Sequence, residues 1–314
     1  MKAWRGVRLL VAICAAPGVV AAQNPQCSPF TGNAANLCNA AVDGVTIYHP
    51  VVGQVVSGGN PELGRVGTLG GLGHFSVTLR ANASQVNFPD QNYSGSGSVV
   101  AAGSDVVVPE PTVDLAVGVF GGMESGFLAL DLLGTAHLLP GNVQDVTIDP
   151  GASRVGDVAL GWGYGLRLGL VGNRDGHFAL STTVMRRSIP RFSYTSGSYS
   201  FSSDLDATNL RAVLGWHASI ISIGFGAGVD WYRGAATATF ADPSLFVART
   251  VSLDLNARRF LGFADLALVF PVVRISAEAG YQLGEDNAGI TTVFDGYDPT
   301  RGLFFASGGL TLSF

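Results

Sequence analysis

Residues 302–314 read GLFFASGGLTLSF, and this stretch decides the fold. Apolar or small side chains occupy its even positions from Phe304 to Phe314, while Ser307 and Thr311 fall between them. Because successive side chains of a strand point to opposite faces, the pattern predicts a strand with one apolar and one polar face. The apolar face runs on to the last residue, where a strand of a soluble protein would normally meet a turn or a polar tail.

This pattern resembles the closing strand of bacterial outer-membrane β-barrels, which ends in Phe with apolar residues at alternate positions before it. The resemblance implies a transmembrane antiparallel barrel in the bacterial outer membrane. It also implies that Phe314 belongs to the assembly signal. The partners that follow from it are outer-membrane lipid and lipopolysaccharide, the barrel-insertion machinery and periplasmic chaperones.

Composition agrees with a membrane location. The 314 residues are 47% hydrophobic and only 13% charged, about half the charge of an ordinary soluble domain. No uninterrupted apolar run of about 18 residues follows the first 25 positions, which disfavours membrane-spanning helices. The barrel is the other architecture that spans a bilayer.

The first 22 residues predict a secretory signal peptide. Three basic residues precede the apolar segment from Leu9 to Val20, and small residues before Gln23 offer a cleavage site. A lipoprotein signal that uses Cys14 is the competing interpretation. The net charge of −5 gives no indication of a nucleic-acid partner.

Residues 23–73 predict a separate module. Cys27 and Cys38 are expected to form a disulfide in the oxidising periplasm. Two thiols alone are too few ligands for a metal site, and no cofactor is indicated. The Gly-, Asn- and Pro-rich remainder is either a periplasmic extension or a plug, a layout that resembles the outer-membrane long-chain fatty acid transporters. Val51 to Ser57 could instead form an extra strand, which would raise the count to twelve.

Residues 74–314 show regular alternation and predict an all-β, up-and-down barrel of about ten strands. The clearest strand runs from Val158 to Leu170, where seven apolar residues alternate with polar or small ones. Short connections alternate with longer polar ones, as periplasmic turns and extracellular loops do in such barrels. Beyond Arg258 and Arg259 the apolar parity switches, which predicts a β-bulge.

The inward positions of these strands carry charges of both signs. They are either a lumen network of ion pairs and hydrogen bonds or the lining of a solute path. Inward glycines either leave room for a solute or allow the sheet to bend. Ten strands enclose too little space for a wide aqueous pore. The lumen-lining candidates are Arg80, Asp114, Asp131, His137, Asp157, Arg167, Arg187, Arg211, Asp230, Arg274 and Glu278.

The sequence does not predict an enzyme. Of its five histidines only His137 approaches the expected outer rim, and no Ser/His/Asp arrangement with the spacing of a known family is present. The expected function is a narrow channel or transporter for small solutes, apolar ones included. The alternative is a non-transporting structural or adhesion barrel that acts through its extracellular loops.

Overall fold

Ten antiparallel strands follow one another around the molecule in the computed structural model. The structure describes residues 24–89, 93–97, 99–123, 127–140, 142–143, 146–172, 177–196, 199–242, 247–284, 289–295, 298 and 301–314. The predicted signal peptide lies outside these residues. The strands are β1 (Phe75–Pro89), β2 (Val99–Phe120), β3 (Leu130–Pro140), β4 (Val158–Val171), β5 (Phe178–Ser196), β6 (Tyr199–Ala218), β7 (Ile221–Asp242), β8 (Val247–Val269), β9 (Val273–Gln282) and β10 (Leu303–Ser313). Four shorter strands lie outside this series, at Asn142–Val143, Val146–Ile148, Arg154–Val155 and Val293–Asp295.

The barrel closes where β10 pairs with β1. Phe75 and Phe314 exchange both backbone hydrogen bonds there, at 3.1 and 2.9 Å, and their rings stack with centroids 4.9 Å apart. The predicted ten-stranded antiparallel barrel is therefore confirmed. The extra strand considered for Val51 to Ser57, and with it the count of twelve, is wrong because those residues are helical.

The two ends of the barrel differ. Residues 219–220 and 270–272 make short turns at the same end as the Phe75–Phe314 pair, called the turn end here. The connections from β1 to β2 and from β9 to β10 lie at the opposite end, called the loop end. By the family resemblance, the turn end is expected to face the periplasm.

Large apolar side chains cover the outer face of the strands. A water-facing surface rarely exposes such a continuous apolar band, whereas a lipid-facing one requires it. A closed, even-numbered, antiparallel sheet with this outer face is an outer-membrane type of β-barrel. The exposed side chains include Leu79, Leu115, Leu132, Tyr164, Phe225, Phe260, Leu266, Ile275 and Phe304.

One helix, α1 (Gly32–Ser57), lies inside the barrel and contacts the inner sides of β1, β2, β6, β7, β8 and β10. Near its start the Asn36 amide donates to the Gly95 carbonyl at the loop end, at 3.0 Å. Residues 58–73 continue to the turn end, where Gly71 packs against Gly121. Residues 24–73, called the inner segment, thus run the length of the barrel. The sequence left open whether this segment is a periplasmic extension or a plug. Its contacts are those of a segment inside the barrel.

The helix forms although its sequence is poor in helix signals. Pro50 lies inside it, together with many β-branched residues, and these lower intrinsic helix propensity. Most of its residues are buried on all sides, so packing inside the barrel stabilises it rather than propensity. It ends at Gly58, whose φ of 58° favours glycine and whose N–H donates to the Gln54 carbonyl at 2.9 Å.

The predicted disulfide between Cys27 and Cys38 is present, with an S–S distance of 2.02 Å. It joins the 3-10 turn Pro25–Cys27 to α1. No helix among the described residues is both long enough and apolar enough to cross a bilayer.

The bulge predicted near Arg258 is wrong. β7 and β8 pair without a break from Ile221 opposite Leu268 to Asp242 opposite Val247. Beyond the membrane band the inward side chains of β8 are apolar because they pack on α1, and the outward ones are polar because they face water. The parity of hydrophobicity therefore switches while the strand itself stays regular.

The alternation of short and longer connections predicts long polar loops after β5 and β7. These segments are mostly strand, since only residues 197–198 separate β5 from β6 and only residues 243–246 separate β7 from β8. The result is a four-stranded sheet, β5 to β8, with strands of 19, 20, 22 and 23 residues. A transmembrane strand needs about 9–11 residues, so this sheet projects beyond the bilayer at the loop end.

Candidate functional site in the barrel interior

Three charged wall residues bind the backbone of the turn that follows α1, at residues 58–60. Glu278 accepts hydrogen bonds from two N–H groups of this turn, at 3.0 and 2.6 Å. Arg211 donates to two of its carbonyl oxygens, at 2.9 and 3.1 Å, and Arg80 donates to the Asn60 carbonyl at 2.7 Å. Charge-assisted hydrogen bonds are the strong ones. Three of the predicted lumen residues thus hold the inner segment against the wall.

Glu62, on the inner segment, is the centre of a second cluster. Its carboxylate accepts hydrogen bonds from Arg167 at 2.6 Å and from Ser76 at 2.9 Å, and it pairs with Arg65. Burial by itself raises the pKa of this carboxyl, but Arg65, Arg167 and Arg274 lower it, and the pKa lies below its usual value. The carboxylate is therefore charged at neutral pH.

Two further wall residues hold the end of the inner segment. Asp131 accepts hydrogen bonds from the Leu69 N–H at 3.1 and 3.2 Å. Arg167 also donates to the Gly67 carbonyl at 3.2 Å. Both wall residues are fully buried, so their charges face the inner segment and not a water-filled lumen.

A third cluster joins β5, β6 and β7. Asp230 pairs with Arg211 at 2.6 Å and accepts hydrogen bonds from Asn209 at 2.5 Å and Tyr232 at 2.8 Å. Arg187 donates to the Asn209 side-chain oxygen. Because the members belong to three neighbouring strands, the cluster links the side chains of these strands and fills the interior beside them.

The fourth cluster lies on β1, β2 and β3. Arg80 pairs with Asp114 at 3.3 Å, and Asp114 accepts a hydrogen bond from Thr135 at 2.6 Å. His137 lies 2.6 Å from the Glu110 carboxylate through its Nδ1 atom and is fully buried.

Two predicted lumen residues behave differently from the rest. The prediction for Asp157 is wrong, because it is exposed in a turn and β4 begins only at Val158. Odd-numbered residues of β4 face inward, and Asp157 has an odd number. It precedes the first residue of the strand, so the alternation of the strand does not apply to it. Arg274 is 9% exposed and lies at the turn end beside a cavity.

The inward glycines leave room that other side chains use. A Cβ atom at Gly226 would overlap the ring of Phe263, and one at Gly228 would lie 2.6 Å from Cδ of Arg211. The space beside these two glycines is therefore occupied by the protein and does not serve as a solute path.

An apolar core joins the projecting sheet to α1 at the loop end. The Tyr48 ring stacks on Phe201 at 5.3 Å, and Phe30 meets Phe240 edge to face at 5.1 Å. Tyr48, Phe201 and Phe240 belong to one buried cluster and Phe30 packs against it, and burial of apolar area stabilises this cluster. The helix is thus the core of the part that projects beyond the bilayer.

Several residues of the interior were not predicted. Glu110 shares the even parity of Asp114 on β2, but the alternation of apolar and polar residues is regular only from Val113 onward. Asp265, which accepts a hydrogen bond from Asn60 at 2.8 Å, follows the parity of β8 and could have been found in the same way. Glu62 lies in a segment without periodicity, so no pattern indicated its position.

No group of three His, Cys, Asp or Glu residues is placed to hold a metal ion in the described part of the chain.

His49, on α1, is buried, and burial lowers its pKa to about 4. The imidazole is therefore neutral at physiological pH.

No protein-family model and no curated protein matches the chain. Among solved structures it is similar to Ail, the attachment invasion locus protein of Yersinia pestis, with 10% identity over 77% of this chain and 99% of that chain and a TM-score of 0.31. The translocator domain of the autotransporter NalP from Neisseria meningitidis has 12% identity over 86% of this chain and 97% of that chain, with a TM-score of 0.40. Neisserial surface protein A has 10% identity over 77% of this chain and 97% of that chain, with a TM-score of 0.29. These likenesses are too distant to carry an argument about function.

Proposed function

We propose that this chain is a closed outer-membrane barrel that acts at the cell surface through its projecting part, and not an open pore. The observation that supports this is the inner segment, which runs the length of the barrel from the loop end to the turn end. Narrow barrels are filled by side chains and only larger ones leave an aqueous channel. Here a helix and a turn segment fill the interior in addition.

The charges in the middle of the barrel support closure. Arg80, Arg211 and Glu278 bond to backbone groups of the inner segment instead of facing an open passage. Arg167 pairs with Glu62. A path for apolar solutes would also have to cross this layer of ion pairs.

The projecting sheet supports action at the surface. Its inner face packs on α1 through the apolar core, which holds the sheet in place. Its outer face carries exposed ion pairs, Arg186 with Asp206 at 3.1 Å and Arg191 with Asp204 at 3.8 Å. Polar outer faces are suited to contact with water, polysaccharide or another protein beyond the membrane.

Gated transport is the second candidate, and one observation favours it. Residues 58–73 contain no helix or strand, and hydrogen bonds to wall residues such as Glu278 and Asp131 hold part of their backbone. Such contacts can be exchanged for water more readily than apolar packing can. A polar solute could then pass if the inner segment withdrew.

The purified full chain in planar bilayers is expected to show no steady conductance, because the interior is filled. Liposomes that contain it should not swell in solutions of small sugars, while an open porin in the same lipid serves as the positive control. A steady ohmic current through folded protein would contradict the proposal. Current or uptake that begins only when a particular polar solute is added would favour gated transport.

A further inference from the structure

A cavity of about 180 Å³ lies at the turn end, between the inner segment and the ends of β5, β6, β8 and β9. One water molecule needs roughly 10–15 Å³ of such space, so the cavity has room for a small oxyanion with part of its hydration. The polar side chains that line it are Arg65, Thr68, His177, His217, Ser222, Arg274 and Ser313.

Arg274 is the unusual member of this lining. Its guanidinium is buried, with the residue 9% exposed, and Nε and Nη1 have no hydrogen-bond partner among the described residues. A buried cation without a partner is costly, and donors that line a cavity can be satisfied by a ligand in it.

The lining of the cavity carries the positive charges of Arg65 and Arg274. Among the described residues that line it, none is Asp or Glu. Two carboxylates outside the lining interact with Arg274 through their charge. Glu62 is already bonded to Arg65, Arg167 and Ser76, and Asp265 accepts a hydrogen bond from Asn60. Neither carboxylate bonds to Nε or Nη1 of Arg274, which stay without a partner among the described residues.

We propose that this cavity binds an oxyanion of the phosphate class, with Arg274 as its main ligand and Arg65 and His217 beside it. A guanidinium presents paired N–H groups that match the oxygens of phosphate. The ligand is either free phosphate or the phosphate of a phospholipid headgroup. The second source is within reach because the half-exposed Trp216 and Phe270 place the rim of the cavity at the lipid-facing surface.

The test titrates the full-length protein, in uncharged detergent free of phosphate, with sodium phosphate by calorimetry. Sodium chloride at the same ionic strength is the reference, and a short-chain phosphatidylglycerol is titrated separately. Wild type is expected to bind, and Arg274→Gln should weaken binding about tenfold or more because the paired donors are lost. Arg186→Gln, which removes an exposed arginine on the outer face of β5, is the matched control and should bind as wild type does.

Binding of phosphate that depends on Arg274 supports a free-ion site, and binding of the lipid alone with the same dependence supports a headgroup site. Failure of wild type to bind either one overturns the proposal, as does equal affinity in Arg274→Gln. Should that variant not fold, Arg274→Lys decides, because lysine keeps the charge but not the paired geometry. An affinity of Arg274→Lys that is about threefold or more below that of wild type supports the site, and an unchanged affinity overturns the proposal.

Discussion

Replacing Glu62 with glutamine is expected to lower the free energy of unfolding by about 3–5 kcal/mol, the usual cost of removing one partner from a buried ion pair. Glu62 is 2% exposed and its partner Arg167 is fully buried, so the guanidinium would lose its counter-charge with no water to replace it. The glutamine amide would also place a donor beside the donors of Arg65 or Ser76.

The measurement is denaturant unfolding in detergent, followed by loss of the heat-modifiable band on a gel. Asp206→Asn is the matched control, because its ion pair with Arg186 is exposed at 44% and 57% and should contribute about 0–1 kcal/mol. The pKa of Glu62 lies below its usual value of 4.5 in the folded protein. Its contribution is thus full above that pH and is lost as the pH falls through the lowered pKa. Equal stability of the two variants at pH 7 would show that Glu62 does not hold the inner segment.

Replacing Gly53 with leucine is expected to destabilise the protein by about 1–3 kcal/mol or more through overpacking. A Cβ atom at Gly53 would lie 2.5 Å from Cδ1 of Tyr232. The ring cannot turn aside freely, because Tyr232 donates to Asp230 at 2.8 Å and accepts from Gln282 at 2.8 Å. The helix would have to shift away from β7.

The control for this variant is Gly262→Leu on β8. Gly262 faces outward, and the nearest atom that its Cβ would meet is the Gly226 carbonyl oxygen at 3.8 Å. Unfolding midpoints of both variants are compared with wild type under the same conditions. We expect a clear decrease only for Gly53→Leu, and a wild-type midpoint in that variant would mean that α1 does not pack against Tyr232.

The wall of the barrel was predictable because lipid imposes a simple rule on it. Side chains that alternate between lipid and the interior produce the alternation in sequence, as from Val158 to Leu170. The same alternation correctly predicted most of the inward charges. It failed at Asp157 because this residue lies just one position before the start of β4. It also misled at β8, where the inner face becomes apolar above the membrane.

The inner segment was not predictable in the same way. A helix that is buried on every side has no polar face, so no period of 3.6 appears in its sequence. Pro50 and the β-branched residues of α1 further hide it. The ion pairs of Glu62 depend on a contact with Arg167, 105 residues away in the chain, which local patterns cannot indicate.

The most direct test of the account is a cross-link between the inner segment and the wall. A Cβ atom at Gly67 would lie 3.3 Å from Cβ of Ala179 on β5, close to the separation of about 3.5–4.5 Å found in disulfides. The double variant Gly67→Cys and Ala179→Cys is therefore expected to form this disulfide on mild oxidation while the barrel stays folded, as peptide mapping would show. The pair Gly67→Cys and Ala264→Cys, with the second thiol on the outer face of β8, should not form one. Thiols that stay free in the folded Gly67→Cys and Ala179→Cys protein would contradict the placement of the inner segment inside the barrel.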